Sequence, residues 1–249
     1  MNVPPIAYNK ARIRVQIEGW PVSVDLIDLE VPAIVVIDPG HGGTGGKNGG
    51  SNPNDATAKP SNILEKTMTL DFGLLLRDRL RALRTRDHLN LRLHMTRTED
   101  VNPSLADRAH RARDEGADVL ISLHFNDTDG SGAARGTETY YDSTGNYNLD
   151  EDQALAGRVN AAAFGAVATY DAGALNREVK GQGLDALSDD SLGNNNDYHP
   201  TRAVLLETEF IDVPAVDQLL NTGPNHQQVR QAIINSVADA LQDDLLHDP

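Results

Sequence analysis

The chain has 249 residues, 39% of them hydrophobic and 24% charged, with a formal charge of −15 and no cysteine. That length supports one large α/β domain with a full core, and the lack of cysteine excludes disulfides, thiolate metal sites and a cysteine nucleophile. A surface this acidic, with five lysines among the 22 basic residues, repels nucleic acid and anionic membranes, so neither is an expected partner.

The start, Met1-Asn2-Val3-Pro4-Pro5, shows no apolar signal region, and no run is long and apolar enough to span a membrane. Residues 11–30 alternate: Ile13, Val15 and Ile17, a Gly19-Trp20-Pro21 turn, then Val22, Val24 and Leu26. This predicts a β-hairpin. The chain divides accordingly into an N-terminal arm, 1–30, and a main domain, 31–249. Pro32 opens a continuous run, Ile34-Val35-Val36-Ile37, which predicts a parallel strand buried on both faces. Asp38-Pro39-Gly40 ends it and presents His41 at its carboxyl end, where open α/β sheets bind ligands. Gly40-His41-Gly42-Gly43-Thr44-Gly45 matches a dinucleotide-binding pattern, but its last glycine must open a helix. Here Gly46-Lys47-Asn48-Gly49-Gly50-Ser51-Asn52-Pro53 follows, which excludes one.

Residues 42–62 form a long loop of the kind that carries function. A helix is predicted from Asn62 to Leu83, burying Met68, Phe72, Leu76, Leu80 and Leu83. Residues 91–97 alternate as a second strand. Pro103-Ser104 starts a short helix with Leu105, Ala109 and Ala112 inward, ended by Gly116. Residues 118–126 form a third strand with His124 near its carboxyl end, and 137–141 a fourth. Residues 151–170 are an Ala-rich helix and 171–200 are irregular. Residues 203–211 are a buried strand carrying Glu207 and Glu209, and 225–246 a final helix burying Val229, Ile233, Val237 and Ala240. The fold class is α/β: a mixed, mostly parallel sheet of about six strands with helices on both faces, plus the N-terminal β-hairpin.

His41, His124 and Glu207 thus end three strands at one sheet edge, and Glu65 begins the first long helix. Two imidazoles and a carboxylate are a common catalytic zinc set, with the fourth position left for water. The remaining carboxylate serves as the base, because a proton must leave the water and reach the leaving group. Each residue also has a plain structural reading. Glu65 follows Asn62 by three, as in a capping box. His124 fits a hydrogen-bonded core position. Glu207 in an apolar strand is costly unless paired or coordinated.

Taken in order, Asp38-Pro-Gly-His-Gly-Gly43, Leu64-Glu65-Lys66, Thr96-Arg97 with Asp100, Arg108, Ser122-Leu-His124-Phe-Asn126, Gly136-Thr-Glu-Thr-Tyr140 and Leu206-Glu207-Thr-Glu-Phe210-Ile-Asp212 resemble the zinc-dependent N-acetylmuramoyl-L-alanine amidases. These are the cell-wall amidases of daughter-cell separation and of phage endolysins. The resemblance runs from about 33 to 245. It implies a Zn2+ cofactor held by His41, Glu65 and His124, with Glu207 as the catalytic glutamate and Asn126 as a substrate-binding residue beside the site. It also implies hydrolysis of the amide between N-acetylmuramic acid and L-alanine, with peptidoglycan as partner. A monomer is expected, acting at the cell wall in the periplasm or outside the cell by an unspecified export route.

The chain departs from the family pattern in four places. The segment 42–64 between His41 and Glu65 is long. Glu209 takes a usually small position; on a regular strand it faces the same side as Glu207 and would raise its pKa or compete with it. The segment Ser188–His199 is short for an inhibitory helix over the metal, so activity without an activator is expected. No wall-binding repeat is expected beside the domain. His199 stands just before the Glu207 strand and reads as a loop histidine; His88, His94, His110, His226 and His247 fall outside the pattern. Two other functions fit the same residues: a catalytically silent peptidoglycan-binding module, and a zinc exopeptidase on free peptides. Should purified protein clear cell-wall suspensions only with an added partner, the expectation of an activator-free enzyme is wrong.

Overall fold

The computed structural model describes residues 8–16, 23–44, 52–144, 147–184, 186–192 and 200–247. Its elements in chain order are β1 (Tyr8–Gln16), β2 (Ser23–Pro39), α1 (Glu65–Asp87), β3 (Leu91–Met95), α2 (Leu105–Glu115), β4 (Val119–Asn126), β5 (Thr137–Tyr141), α3 (Leu149–Tyr170), β6 (Asn176–Gly181), β7 (Arg202–Phe210), α4 (Pro214–Asp217) and α5 (His226–His247). The main sheet has the order β3-β2-β4-β7-β5-β6, with β5 antiparallel to β7 and every other pair parallel. The mixed six-strand α/β sheet is therefore as expected.

β2 serves two neighbours in succession. Residues 23–32 pair antiparallel with β1, and residues 33–39 then run between β3 and β4. The strand passes through Pro32 instead of opening there. At that position β1 is the one described neighbour, and proline is tolerated where one strand edge has no ladder bond to make. The hairpin turn at 19–21 lies outside the described residues.

The β-branched run works because both of its faces are covered. Val35 and Ile37 enter the core shared with α1, α3 and α5, and Val36 enters a second core with Ala109 and Ala112 of α2. The chain leaves β2 by α1 to β3 on one side, then crosses by α2 on the other face to β4. β2 and β4 therefore flank a topological switch point, and their carboxyl ends open on the crevice where such sheets bind ligands.

Three further predicted elements are corrected. α1 begins at Glu65, three residues after Asn62, with Leu64 as N-cap and no side-chain cap. Asn62 has a left-handed φ of 62° and takes a hydrogen bond from Lys59 Nζ, so no capping box joins it to Glu65. The supposedly irregular segment 171–200 contains β6, whose mostly polar sequence suits an edge strand and hides it from hydrophobic periodicity. In α5, Ala238 and Leu241 are fully buried in place of Ala240. α2, by contrast, has the predicted start and stop, Ser104 capping with Asp107 and Gly116 in the left-handed region. No described helix is long and apolar enough to cross a membrane.

α1 approaches the end of β2 closely because position 73 lacks a side chain. A Cβ there would stand 2.7 Å from Pro39 Cγ. Gly73→Ala should therefore lower stability by about 1–3 kcal/mol in urea unfolding, although alanine favours an isolated helix by ~1 kcal/mol. A stabilised variant would show that the contact is slack.

Candidate metal centre

His41 sits on a turn that needs unusual backbone. Its φ is 57°, followed by Gly42 at 127° and Gly43 at 66°. A non-glycine residue in that region costs free energy and persists where its surroundings hold it. Two buried arginines do so. Arg108 donates to Pro39 O (2.9 Å) and His41 O (2.8 Å), and Arg97 donates to Pro39 O, Gly40 O and Lys66 O, each at 2.8 Å. Asp38 is the counter-charge: its carboxylate accepts from Arg108 (2.6 Å), Thr96 (2.5 Å) and Ser122 (2.7 Å). Burial pushes the Asp38 pKa up, but the Arg108 charge and these hydrogen bonds outweigh it and hold it below the usual value.

Three donor atoms converge beneath this turn. His41 Nδ1 donates to Asn52 O at 2.7 Å, which leaves Nε2 as a lone pair facing inward. His41 Nε2 lies 3.2 Å from Glu65 Oε2, His124 Nδ1 lies 3.2 Å from Glu65 Oε1, and the two imidazole nitrogens are 3.1 Å apart. Glu65 is 1% exposed and is oriented by Ala56 N (3.0 Å) and Phe125 N (2.9 Å). Burial acts to raise its pKa, and contacts with His124 and His41 prevail and depress it. Gly40 leaves room for His124, since a Cβ there would overlap the imidazole ring. This set could hold a metal ion. Bonds of about 2.1 Å in a tetrahedron put ligand atoms about 3.4 Å apart, close to the observed spacing, and the N/N/O set suits zinc.

Glu207 faces the same cavity of about 310 Å³, together with Asn126, Asp55, Asp127 and Tyr140. Its Oε2 is buried with no hydrogen-bond partner among the described residues. Burial, then the charges of Glu65, Glu138 and Asp55, push its pKa well above the usual carboxylate range. Asn126 is fixed by donation from Nδ2 to Glu138 at 2.7 Å.

Glu209 neither faces Glu207 nor competes with it. β4 advances from His124 to Asn126 while β7 advances from Glu207 to Phe210, so β7 carries one extra residue. This bulge breaks the alternation. Glu209 is instead fully buried and accepts from Gly136 N (2.8 Å), Phe210 N (2.9 Å) and Arg135 (2.9 Å). His199 and residues 193–199 of the Ser188–His199 segment lie outside the described residues. Glu138 was not singled out from sequence. It is 2% exposed and accepts from Asn126, Tyr140 (2.9 Å), Arg177 (2.6 Å) and Lys180. Burial opposes its ionisation, but these donors bring its pKa to about 2. A carboxylate inside the Thr137–Tyr141 strand was the available signal, because burying one demands partners.

A profile of the N-acetylmuramoyl-L-alanine amidase family matches residues 35–239. The chain belongs to the N-acetylmuramoyl-L-alanine amidase family. The resemblance drawn from its motifs is thus borne out. A sporulation-specific N-acetylmuramoyl-L-alanine amidase of Bacillus subtilis is 37% identical over 106 residues, covering 43% of this chain and 34% of that protein. The N-acetylmuramoyl-L-alanine amidase AmiC of Neisseria meningitidis is 28% identical over 234 residues, covering 82% of this chain and 51% of its own. The chain thus spans between a third and about half of these relatives. In fold, it superposes on the crystal structure of an amidase from Clostridium difficile 630 with a TM-score of 0.68 at 24% identity, covering 88% of this chain and 99% of that one.

Within this amidase-family fold, the Asp38–Arg108 pair contributes stability above the unfolded carboxylate pKa near 4 and loses it as pH falls through the lower folded value. Arg108→Met leaves that charge unpaired and should cost about 3–5 kcal/mol in urea unfolding at neutral pH. Adding Asp38→Leu should restore part of the stability. Zinc affinity, measured by competition with a chromophoric chelator, should stay about 10–100-fold weaker, because His41 O still lacks its donor. Wild-type affinity in the double variant would contradict this role for Arg108.

Proposed function

We propose that the chain is a zinc-dependent peptidoglycan hydrolase that cleaves the amide between N-acetylmuramic acid and L-alanine of the stem peptide. His41, Glu65 and His124 are the metal ligands, Glu207 is the general base and acid, and Asn126 binds substrate. One observation carries the reading: three donor atoms within 4.8 Å of one another share a cavity with a buried carboxylate oxygen that has no hydrogen-bond partner among the described residues. Family membership supplies the substrate class. The proposal includes action as a monomer, at the cell wall in the periplasm or outside the cell.

Zinc held by these ligands supplies Lewis acidity toward the scissile carbonyl and lowers the pKa of the attacking water. The chain's own groups do the rest. Glu207 accepts the water proton and returns it to the departing alanine nitrogen, work that a carboxylate outside the ligand set can do twice per turnover. Asn126, its amide locked by Glu138, offers its remaining polar atoms to the bound peptide.

Chelation should abolish hydrolysis and added zinc restore it. Glu207→Gln should keep stoichiometric zinc by atomic emission yet lose at least about 10²-fold in kcat. The product to measure is the new L-alanine amino terminus on the released stem peptide. A Glu207→Gln protein that digests peptidoglycan at the parental rate overturns the assignment. Release of other amino termini from free peptides would instead point to an exopeptidase.

A further inference from the structure

The edge strand β6 is irregular at one point. Thr137–Thr139 of β5 face Asn176–Val179 of β6, one residue more on β6. The extra residue is taken up around Glu178, whose φ of 65° is rare for a non-glycine residue. In a regular strand, residues 177 and 180 point to opposite faces. Here Arg177 Nε, at 2.6 Å, and Lys180 Nζ both reach the same oxygen, Glu138 Oε2. Bulges beside functional sites commonly re-aim side chains in this way.

Burying Glu138 does not require both cations. One would neutralise it, and Asn126 and Tyr140 already donate to its other oxygen. Two cations on one carboxylate leave a local charge of +1 on a chain of −15. The two cations remain partly open to solvent: the Arg177 and Lys180 side chains are 38% and 35% exposed, against 3% for Glu138, although Arg177 also lies over the Phe210 ring and Lys180 over the Tyr140 ring. The cluster adjoins the metal-site cavity through Asn126 and Tyr140, and the chain leaving β6 adds Gln182 and Leu184 to the cavity wall.

We infer that Arg177 and Lys180 form a subsite for a free carboxylate on the stem peptide of the substrate. This rests on the amidase reading, in which the scissile amide lies beside Glu207. The lactyl carboxyl of the glycan is consumed in that amide, so the anion comes from the peptide. From β7 across β5 to β6 is two strand spacings, about 10 Å, or about three extended residues. That reach covers two sources, the carboxylate of the second stem residue and the side-chain carboxylate of a diaminodicarboxylic third residue.

The test uses the zinc-loaded chain and muramyl tripeptides with a C-terminal carboxamide, whose remaining carboxylates are free, amidated at the second residue alone, or amidated at the side chain of the third alone. The free substrate should exceed one of the amidated ones by about tenfold in kcat/KM, mostly through KM, and the amidation that matters identifies the source. Arg177→Gln with Lys180→Gln keeps amide donors for Glu138 and should hydrolyse all three alike. Equal kcat/KM for all three on the wild type, or an unchanged preference in the double variant, overturns the subsite while leaving the amidase intact. The wild-type ratio needs no variant, so the test survives a double variant that does not fold. Equilibrium binding of the same peptides separates the two readings: about tenfold tighter binding of the free tripeptide without turnover supports the subsite and removes the amidase.

Discussion

The site depends on how the end of β2 is held open. Asp38, Arg108 and Arg97 are buried together under the Pro39–His41 turn, and the two guanidinium groups bond the carbonyls that the left-handed turn takes out of the sheet. Arginine suits this place because its fixed fork of donors serves several acceptors while staying charged. Arg97 also bonds Lys66 O, so the same cluster ties the first turn of α1, and with it Glu65, to the His41 turn. Two of the three candidate metal-site residues are thereby held by one network. The third, His124, fits against Gly40 because that residue has no side chain.

Beyond that network, the site is shaped by departures from regular sheet. The bulge in β7 separates two carboxylates that a regular strand would place together, leaving Glu207 in the cavity and sending Glu209 to Arg135 and Gly136. The bulge in β6 does the opposite with cations, bringing Arg177 and Lys180 together on Glu138. Each adds one residue and changes which side chains meet. Glu65 and Glu207 share the cavity but differ in surroundings. Imidazoles and backbone amides favour the charged form of the first, while the second stands near other carboxylates with one oxygen that has no partner among the described residues.

Much of this was legible from residues alone, for identifiable reasons. The Ile34–Ile37 run showed a doubly covered parallel strand because burial on both faces leaves no polar alternation. Ser104 and Gly116 marked the ends of α2 because capping is local chemistry. His41, Glu65, His124 and Glu207 could be picked out because strand ends and a helix start carry site residues in such sheets, and because the ordered motifs resemble those of the amidases. Asn62 misled at the start of α1: a capping-box spacing does not reveal that its backbone is left-handed.

Local pattern therefore established the α/β class, most of the strands and helices, and the residues able to make a metal site. It could not establish which of those side chains face one another. Glu65 and His124 are 59 residues apart, and their 3.2 Å approach follows from the parallel register of β2 with β4 and from the seating of α1 on Pro39. Nor could it show that Glu209 turns away or that Glu138 gathers two cations, since each depends on one extra residue in a strand whose partner lies elsewhere in the chain. Alternation and capping are properties of a single segment, whereas a bulge exists only between two paired strands.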